Sequence, residues 1–442
     1  MTDDRPRPTR RGFLALGAGA LTAGCGGLPN PLSSSPPSVD ARRLTEITAD
    51  GVPAISRPVP VDVGDAHREA HADRARGLLD RAPLPFDRDE IPNGAMREEV
   101  TEAAEAARAA LDRADAADSP FETLEALRDA RAEARVVATA WAYVDEGVRR
   151  DDLAAESDAL TADVADFDER RSYVGDDPVR ALLVHAAVES LTRTATVDVD
   201  GRSTDRRFAW RAENLVTVSE AAAELERARA ALDDAAAHFD RLRADLATQR
   251  DLRGAFVGAT EELAATLEAE TAGFDGSDPV ESVVDADVAD SPVRHPLEQL
   301  HRDLAGGAAI DEHRDDGKLA TALVSAHREL TRLYAFEDLR ARVADGESFA
   351  VEDAEDVAAY RRAAVSAIET ALRESAHPGL SRRVLHALTG LVERADVELA
   401  YDGRETVPVS WIRRDVGVYL YAAAVARATP GASATVAEAL GR

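Results

Sequence analysis

His67-Arg68-Glu69-Ala70-His71 places two imidazoles at i and i+4. On a helix that spacing puts both rings on one face, within reach of a single metal ion. Glu69 falls elsewhere on the helical wheel, so the stretch lacks the general base of an H-E-x-x-H site, and no third ligand stands nearby in the chain. A polar helix face that docks on a bundle is the competing reading of the pair. Glu298 with His301, and Glu374 with His377, repeat the E-x-x-H spacing of di-iron bundles. Pro378 puts His377 at a helix end, and in a chain with 83 acidic residues and 10 histidines such pairs also arise by chance. His185 and His386 lie on otherwise apolar stretches and read as hydrogen-bonded core histidines. No G-x-S-x-G, P-loop or dinucleotide fingerprint occurs, so no catalytic residue is assigned. Cys25 is the only cysteine in 442 residues.

The elements that must carry these residues are helices. From Asp65 onward Ala, Leu, Glu and Arg dominate, with apolar residues three and four apart. The pattern predicts helices over about 65–81, 94–117, 121–149, 151–171 and 178–194. The longest covers about 212–249. In it Val218, Leu225, Leu232, Phe239 and Leu246 fall at one heptad position, and Ala221, Ala228, Ala235 and Leu242 at the other. This coiled-coil-like seam reads as an intramolecular bundle helix, because other amphipathic helices are available to pack on it.

An internal echo lies about 201 residues apart. His185-Ala186 leads through a helix to Asp200-Gly201-Arg202 and then Trp210; His386-Ala387 leads to Asp402-Gly403-Arg404 and then Trp411. Upstream, Ala126-Leu127, Ala130 and Glu133 match Ala322-Leu323, Ala326 and Glu329. Asp-Gly between alternating residues is a hairpin signal, since a type I′ turn needs positive φ at both central positions. The expected architecture is all-α: two helical bundles with long antiparallel helices, arising by duplication. Each copy would carry one small β-hairpin and a tryptophan capping its core. The second copy's last helix should stop near Arg427, before Pro430. A groove between the bundles would be the place for a partner.

The first 25 residues say where the chain goes. Arg10-Arg11 precede an 11-residue apolar run from Phe13 to Ala23, and Thr22-Ala23-Gly24 end on Cys25. As a helix that run would span only about 16 Å, against a hydrocarbon core of roughly 30 Å. It is too short to cross. A charged region, an apolar region and small residues in this order form a secretory signal, and the arginine pair adds the twin-arginine signature. The stretch resembles the lipobox of exported lipoproteins. That resemblance implies export by the Tat translocase, cleavage before Cys25, lipid on Cys25 and residence on the extracytoplasmic face of the cell membrane. With Cys25 lipidated, disulfides, thiolate catalysis and cysteine-ligated zinc are excluded from the mature chain.

Composition adds the solvent. The chain has 53 Lys+Arg against 83 Asp+Glu, a net charge of −30. Removing the leader, with its four arginines and two aspartates, leaves 49 against 81 and a net charge of −32. Lys318 is the only lysine. This balance resembles proteins of extreme halophiles, and with the leader the chain looks like a haloarchaeal lipoprotein. Nucleic acid is excluded as a partner by the sign of the charge. The absence of a D-x-[DN]-x-[DN]-G loop makes the acidity a solvated surface instead of a calcium site.

The chain therefore divides into a signal peptide (1–24), a lipidated cysteine and flexible tether (25–64), a short helical segment (65–92) and two helical repeats (93–290 and 291–442). The reading is a non-catalytic, membrane-anchored scaffold or binding module without a cofactor. Its rivals are a metal-binding protein or metal-dependent enzyme using His67 and His71, and a solute-binding component of an uptake system. Solute receptors of that kind usually look α/β, and no alternating strand–helix pattern is present. Near 1 M salt the Debye length is about 3 Å, which screens the like charges. Dilution into low salt should therefore lower the thermal midpoint followed by circular dichroism; a midpoint independent of salt would remove the acidity as a folding liability.

Overall fold

The computed structural model describes residues 37–441, apart from 58, 200–212, 285 and 402. The leader, Cys25, Trp210 and the first Asp-Gly pair lie outside the described residues. Ser38–Arg442 forms one compact unit. It is all-α, with fifteen α-helices and two short antiparallel strand pairs among the described residues.

Four helices build the first half: α4 (Pro120–Asp145), α5 (Ala154–Arg170), α6 (Pro178–Val199) and α7 (Leu215–Asp245). The same order and similar lengths return in α12 (Leu319–Ala344), α13 (Ala354–Glu374), α14 (Pro378–Glu398) and α15 (Val409–Gly441). Each last helix packs along the first and third of its own set, α7 on α4 and α6, α15 on α12 and α14. Local sequence fixes many of the ends. Ser119 accepts a hydrogen bond from the Glu122 N–H with Pro120 just inside α4, and Asp353 caps α13 through the N–H groups of Glu355 and Asp356. The alanine row of α7 (Ala222, Ala228, Ala231 and Ala235) is fully buried, and small side chains there let α4 and α6 approach closely.

Around this repeat, α2 (Asp65–Leu79) and α3 (Gly94–Ala116) lie on α4. In the second half α8 (Arg253–Thr271), α9 (Val280–Val284), α10 (Arg294–Ala305) and α11 (Ile310–Asp315) lie on α12. Because Phe256, Leu263 and Leu267 of α8 belong to the second core, the chain divides near residue 250 instead of 290.

Four expectations are corrected. The tether ends by Ser38: β1 (Ser38–Asp40) pairs antiparallel with β4 (Thr406–Pro408), and α1 (Ala41–Thr48) buries Ala41 and Leu44. The second hairpin does not form, and the turn of the first, at residues 200–212, lies outside the described residues. Val397 and Glu398 are helical, Gly403 turns with φ 75°, and β4 reaches back to β1, because partner backbone is available there. Val197–Val199, the first strand of the other hairpin, also ends a helix, and the strand pair of that half joins β2 (Val174–Gly175) to β3 (Arg250–Asp251). Helix α15 runs through Pro430 to Gly441; burial of Ala432, Ser433, Val436 and Leu440 offsets the missing backbone hydrogen bond. No open groove separates the copies along α6. Its Ala181, Leu182, Leu183 and Ala186 enter the second core, while Val184, Val188 and Leu191 stay in the first.

One buried carboxylate ties the halves. Lys318 provides no side-chain cap to α12, so the first N–H groups of that helix need outside acceptors. Glu189 of α6 supplies them, accepting from Thr321 N at 2.7 Å, Thr321 Oγ1 at 2.6 Å and Ala320 N at 3.3 Å. Tyr173 donates to Glu189 at 2.5 Å and accepts from Leu319 N at 2.9 Å, and Arg171 pairs with the same carboxylate at 3.1 Å. Replacing Glu189 by Ala should lower the unfolding free energy by about 3–5 kcal/mol, since it strands a buried guanidinium and a helix end together. Denaturant titration reads this, and a loss below about 1 kcal/mol would show that the joint carries no stability.

Candidate functional site

Helix α2 lies across α4 and carries His67 and His71 toward α7. The rings sit 4.6 Å apart between centroids. The third ligand that the local sequence lacks arrives from α7: Asp234 Oδ1 is 2.8 Å from His67 Nε2 and 3.4 Å from His71 Nε2. These three residues form a group whose ligand atoms all lie within 4.8 Å of one another. A His₂–carboxylate set is by donor type a zinc or iron site.

Arginines occupy that carboxylate. Helix α4 presents Arg128 and Arg131 one turn apart on the face toward α7. Arg128 donates from Nη1 to the other oxygen of Asp234. Arg131 donates to Glu226 at 2.9 Å and to Asp233 at 3.1 Å, and its Nη1 stands 3.4 Å from His71 Nδ1. Arg74 of α2 forks onto Glu226 at 3.1 and 2.8 Å. Three guanidiniums thus face three carboxylates, and the Asp234 side chain is 0 % exposed.

Burial alone would raise the carboxyls of Asp234 and Glu226. The His67 hydrogen bond and Arg128 outweigh it at Asp234, and Arg74 and Arg131 outweigh it at Glu226, so both are held below the usual range. Burial pushes His71 down to about 4, against the pull of Asp234, so this ring is neutral. The cluster is then charge-balanced. A divalent cation in the triangle would add two charges beside three guanidiniums and would share Asp234 with Arg128, which holds its other oxygen. The geometry brings metal-type donors together; the electrostatics has already satisfied them.

The other sequence candidates separate. Glu298 bonds Arg294 at 2.7 Å, while His301 is buried against Phe274. Glu374 is exposed at the end of α13, and His377 stands at the N-cap position of α14 without a side-chain cap bond. His185 is buried with Nε2 3.0 Å from the Val174 carbonyl. His386 is half-buried and holds the Ile55 carbonyl at 2.5 Å, so both repeat histidines fasten backbone. Trp411 does not cap the core: it is 52 % exposed, with the Arg404 guanidinium 5.0 Å above its ring. Sequence reasoning missed Asp234, Arg128, Arg131 and Glu226, whose one local signal is arginine on an otherwise apolar face of α4.

Comparison with known families divides the chain where the structure does. Residues 66–249 match the family described as Domain of unknown function (DUF8262). Residues 253–438 match a second, Domain of unknown function (DUF8264). The boundary falls just beyond β3. Two different families matching two similar helix orders mark an old duplication whose copies have diverged. No curated protein and no solved structure matches the chain.

His238, one turn from Asp234 on α7, has no hydrogen-bond partner on either ring nitrogen. Burial pushes it down to about 4, as it does His71 and His327. These rings are neutral when folded and titrate near 6.5 when unfolded. Their contribution is therefore complete above pH 6.5 and is lost as pH falls toward 4. At fixed salt, stability should drop over that window. His238→Phe should be close to neutral at pH 7 and reduce the slope by up to one proton; an unchanged slope in denaturant titrations would contradict the assignment.

Proposed function

We propose that this chain is a lipid-anchored, non-catalytic helical module on the extracytoplasmic face of the cell membrane, acting as a scaffold or binding component in high salt. Its leader and Cys25 supply the anchor. The body starts at Ser38, so the thirteen-residue span from Cys25 reaches at most about 45 Å from the membrane surface. No helix among the described residues is long and apolar enough to cross a membrane, which leaves attachment to the lipid in this reading. The observation that carries the non-catalytic part is the balance around Asp234: the best-assembled titratable cluster spends its charges on joining α2, α4 and α7.

A second reading rests on the convergence of His67, His71 and Asp234, with a divalent cation held at Asp234 Oδ1, the oxygen that Arg128 leaves to the histidines.

One preparation tests both. Intact mass of the membrane form should show a chain beginning at Cys25 with added lipid, Cys25→Ser should leave the membrane fraction, and Lys at positions 10 and 11 should block export. A membrane form retaining Met1 would overturn the anchor. Zinc, iron or manganese at one per chain, lost on replacing His67 and His71 by Ala, would establish the second reading in place of the first.

A further inference from the structure

In the second half a cavity of about 410 Å³, open to solvent on one side, lies between α10, α12, α14 and α15. Its volume lies in the range of small-molecule sites. Val324, Leu388, Leu391 and Val425 make an apolar wall. Three guanidiniums also line it: Arg328 and Arg332 from α12, and Arg383 from α14.

Their partners differ. Arg332 is neutralised by Asp303 and Glu329, each at 3.1 Å. Among the described residues, Arg328 and Arg383 have neither an ion pair nor a hydrogen bond. For Arg383 this is unexpected in a chain with 83 acidic residues against 53 basic ones, where most other buried or half-buried arginines meet a carboxylate; Arg328 is exposed and meets solvent. Arg383 is half-buried, and the charges that bear on it are other arginines, Arg57 and Arg328; burial and this repulsion hold it below its usual value. His327, also on the lining, is fully buried, donates to or accepts from Ser433 at 3.0 Å, and is neutral, so it does not offset the positive charge. Arg383 is the costly one, a partly desolvated guanidinium beside an apolar wall that an anion would complete, while exposed Arg328 also acts on Glu329 and adds a second donor at the rim. The first half lacks the counterpart: Ala132 stands at the position of Arg328 in the Glu133–Glu329 match.

We infer that this cavity binds a small organic anion, its carboxylate or phosphate head between Arg328 and Arg383 and its apolar body against Val324, Leu388 and Leu391. The inference deepens the binding-module reading and rests on it for biological context, but not for the binding itself. A guanidinium pair recognises either oxyanion by charge-assisted hydrogen bonds, whereas the wall rejects a fully hydrated ion. The capacity to bind should therefore need both ends of the ligand.

The test uses the full chain carrying Cys25→Ser, free of lipid and detergent, at the salt concentration that holds full helicity. Titration calorimetry with octanoate and octyl phosphate decides which head is preferred. At least one should bind saturably at one per chain. 1-Octanol and inorganic phosphate should each bind at least about tenfold more weakly. Arg328→Gln and Arg383→Gln should each cost about tenfold in affinity with the helical signal retained. Arg328 is exposed at the rim, so its variant carries the test if Arg383→Gln does not fold. Equal binding of octanol, equal binding of inorganic phosphate, unchanged affinity in the folded arginine variants, or no saturable binding of either amphiphile would each overturn the site. Failure of the anchor is read separately, by fractionation of the wild type.

Discussion

A carboxylate with no contact to water holds the two copies in one body. Glu189 leaves the first half on α6 and closes the open N-terminus of α12, where its negative charge meets unsatisfied N–H groups and the positive end of the helix dipole. Tyr173 and Arg171 complete its shell. Much else follows from that joint. With α12 seated on α6, the Leu182 side of α6 must enter the second core, and the Val188 side must stay in the first. One helix thus serves two cores, which is why the copies do not part to form a groove.

The chain solves a problem specific to its composition. With acidic residues so abundant, helices cannot bring their polar faces together without also bringing carboxylates together. Arginine is the remedy inside: Arg128 and Arg131 bridge α4 to α7, and Arg361 forks onto Asp396 at 2.8 Å between α13 and α14, with Tyr419 donating to the same carboxylate at 2.6 Å. Its planar fork satisfies two acceptors at once, and it remains charged when buried. Such networks contribute orientation more than net stability, because desolvation cancels much of the attraction.

Duplication preserved the scaffold and let the seam diverge. Between the first and last helices of the first half, Arg131 meets Glu226 and Asp233. In the second half the matching stretch of α12 carries His327, bonded to Ser433 of α15 at 3.0 Å. Glu133 and Glu329 keep equivalent places, and burial raises both carboxyls. Each half has a cavity beside its seam, lined in the first by Glu133 and Glu220 among others and in the second by His327, Arg328 and Arg383.

The sequence by itself determined the helices, because their signals are local. Apolar residues at three and four spacing define one face, and Ser119-Pro120, Asp353 and Pro178 mark starts through hydrogen bonds within a few residues. It also determined the repeat order and marked His185 and His386 as hydrogen-bonded histidines, whereas the fold supplied their carbonyl partners and left His386 half-buried. Tertiary structure decided the rest. Asp234 lies 163 residues beyond His71, and nothing local separates a carboxylate that will be buried between arginines from the many that face solvent. The Asp-Gly turns signalled hairpins, yet β4 found Ser38–Asp40 instead, because strand pairing depends on whichever edge the fold brings near. Pro430 signalled a helix end, and burial of the residues after it outweighed the lost hydrogen bond. That Arg383 meets no carboxylate among the described residues is likewise invisible in sequence, since its surroundings are set by four packed helices and by no single one.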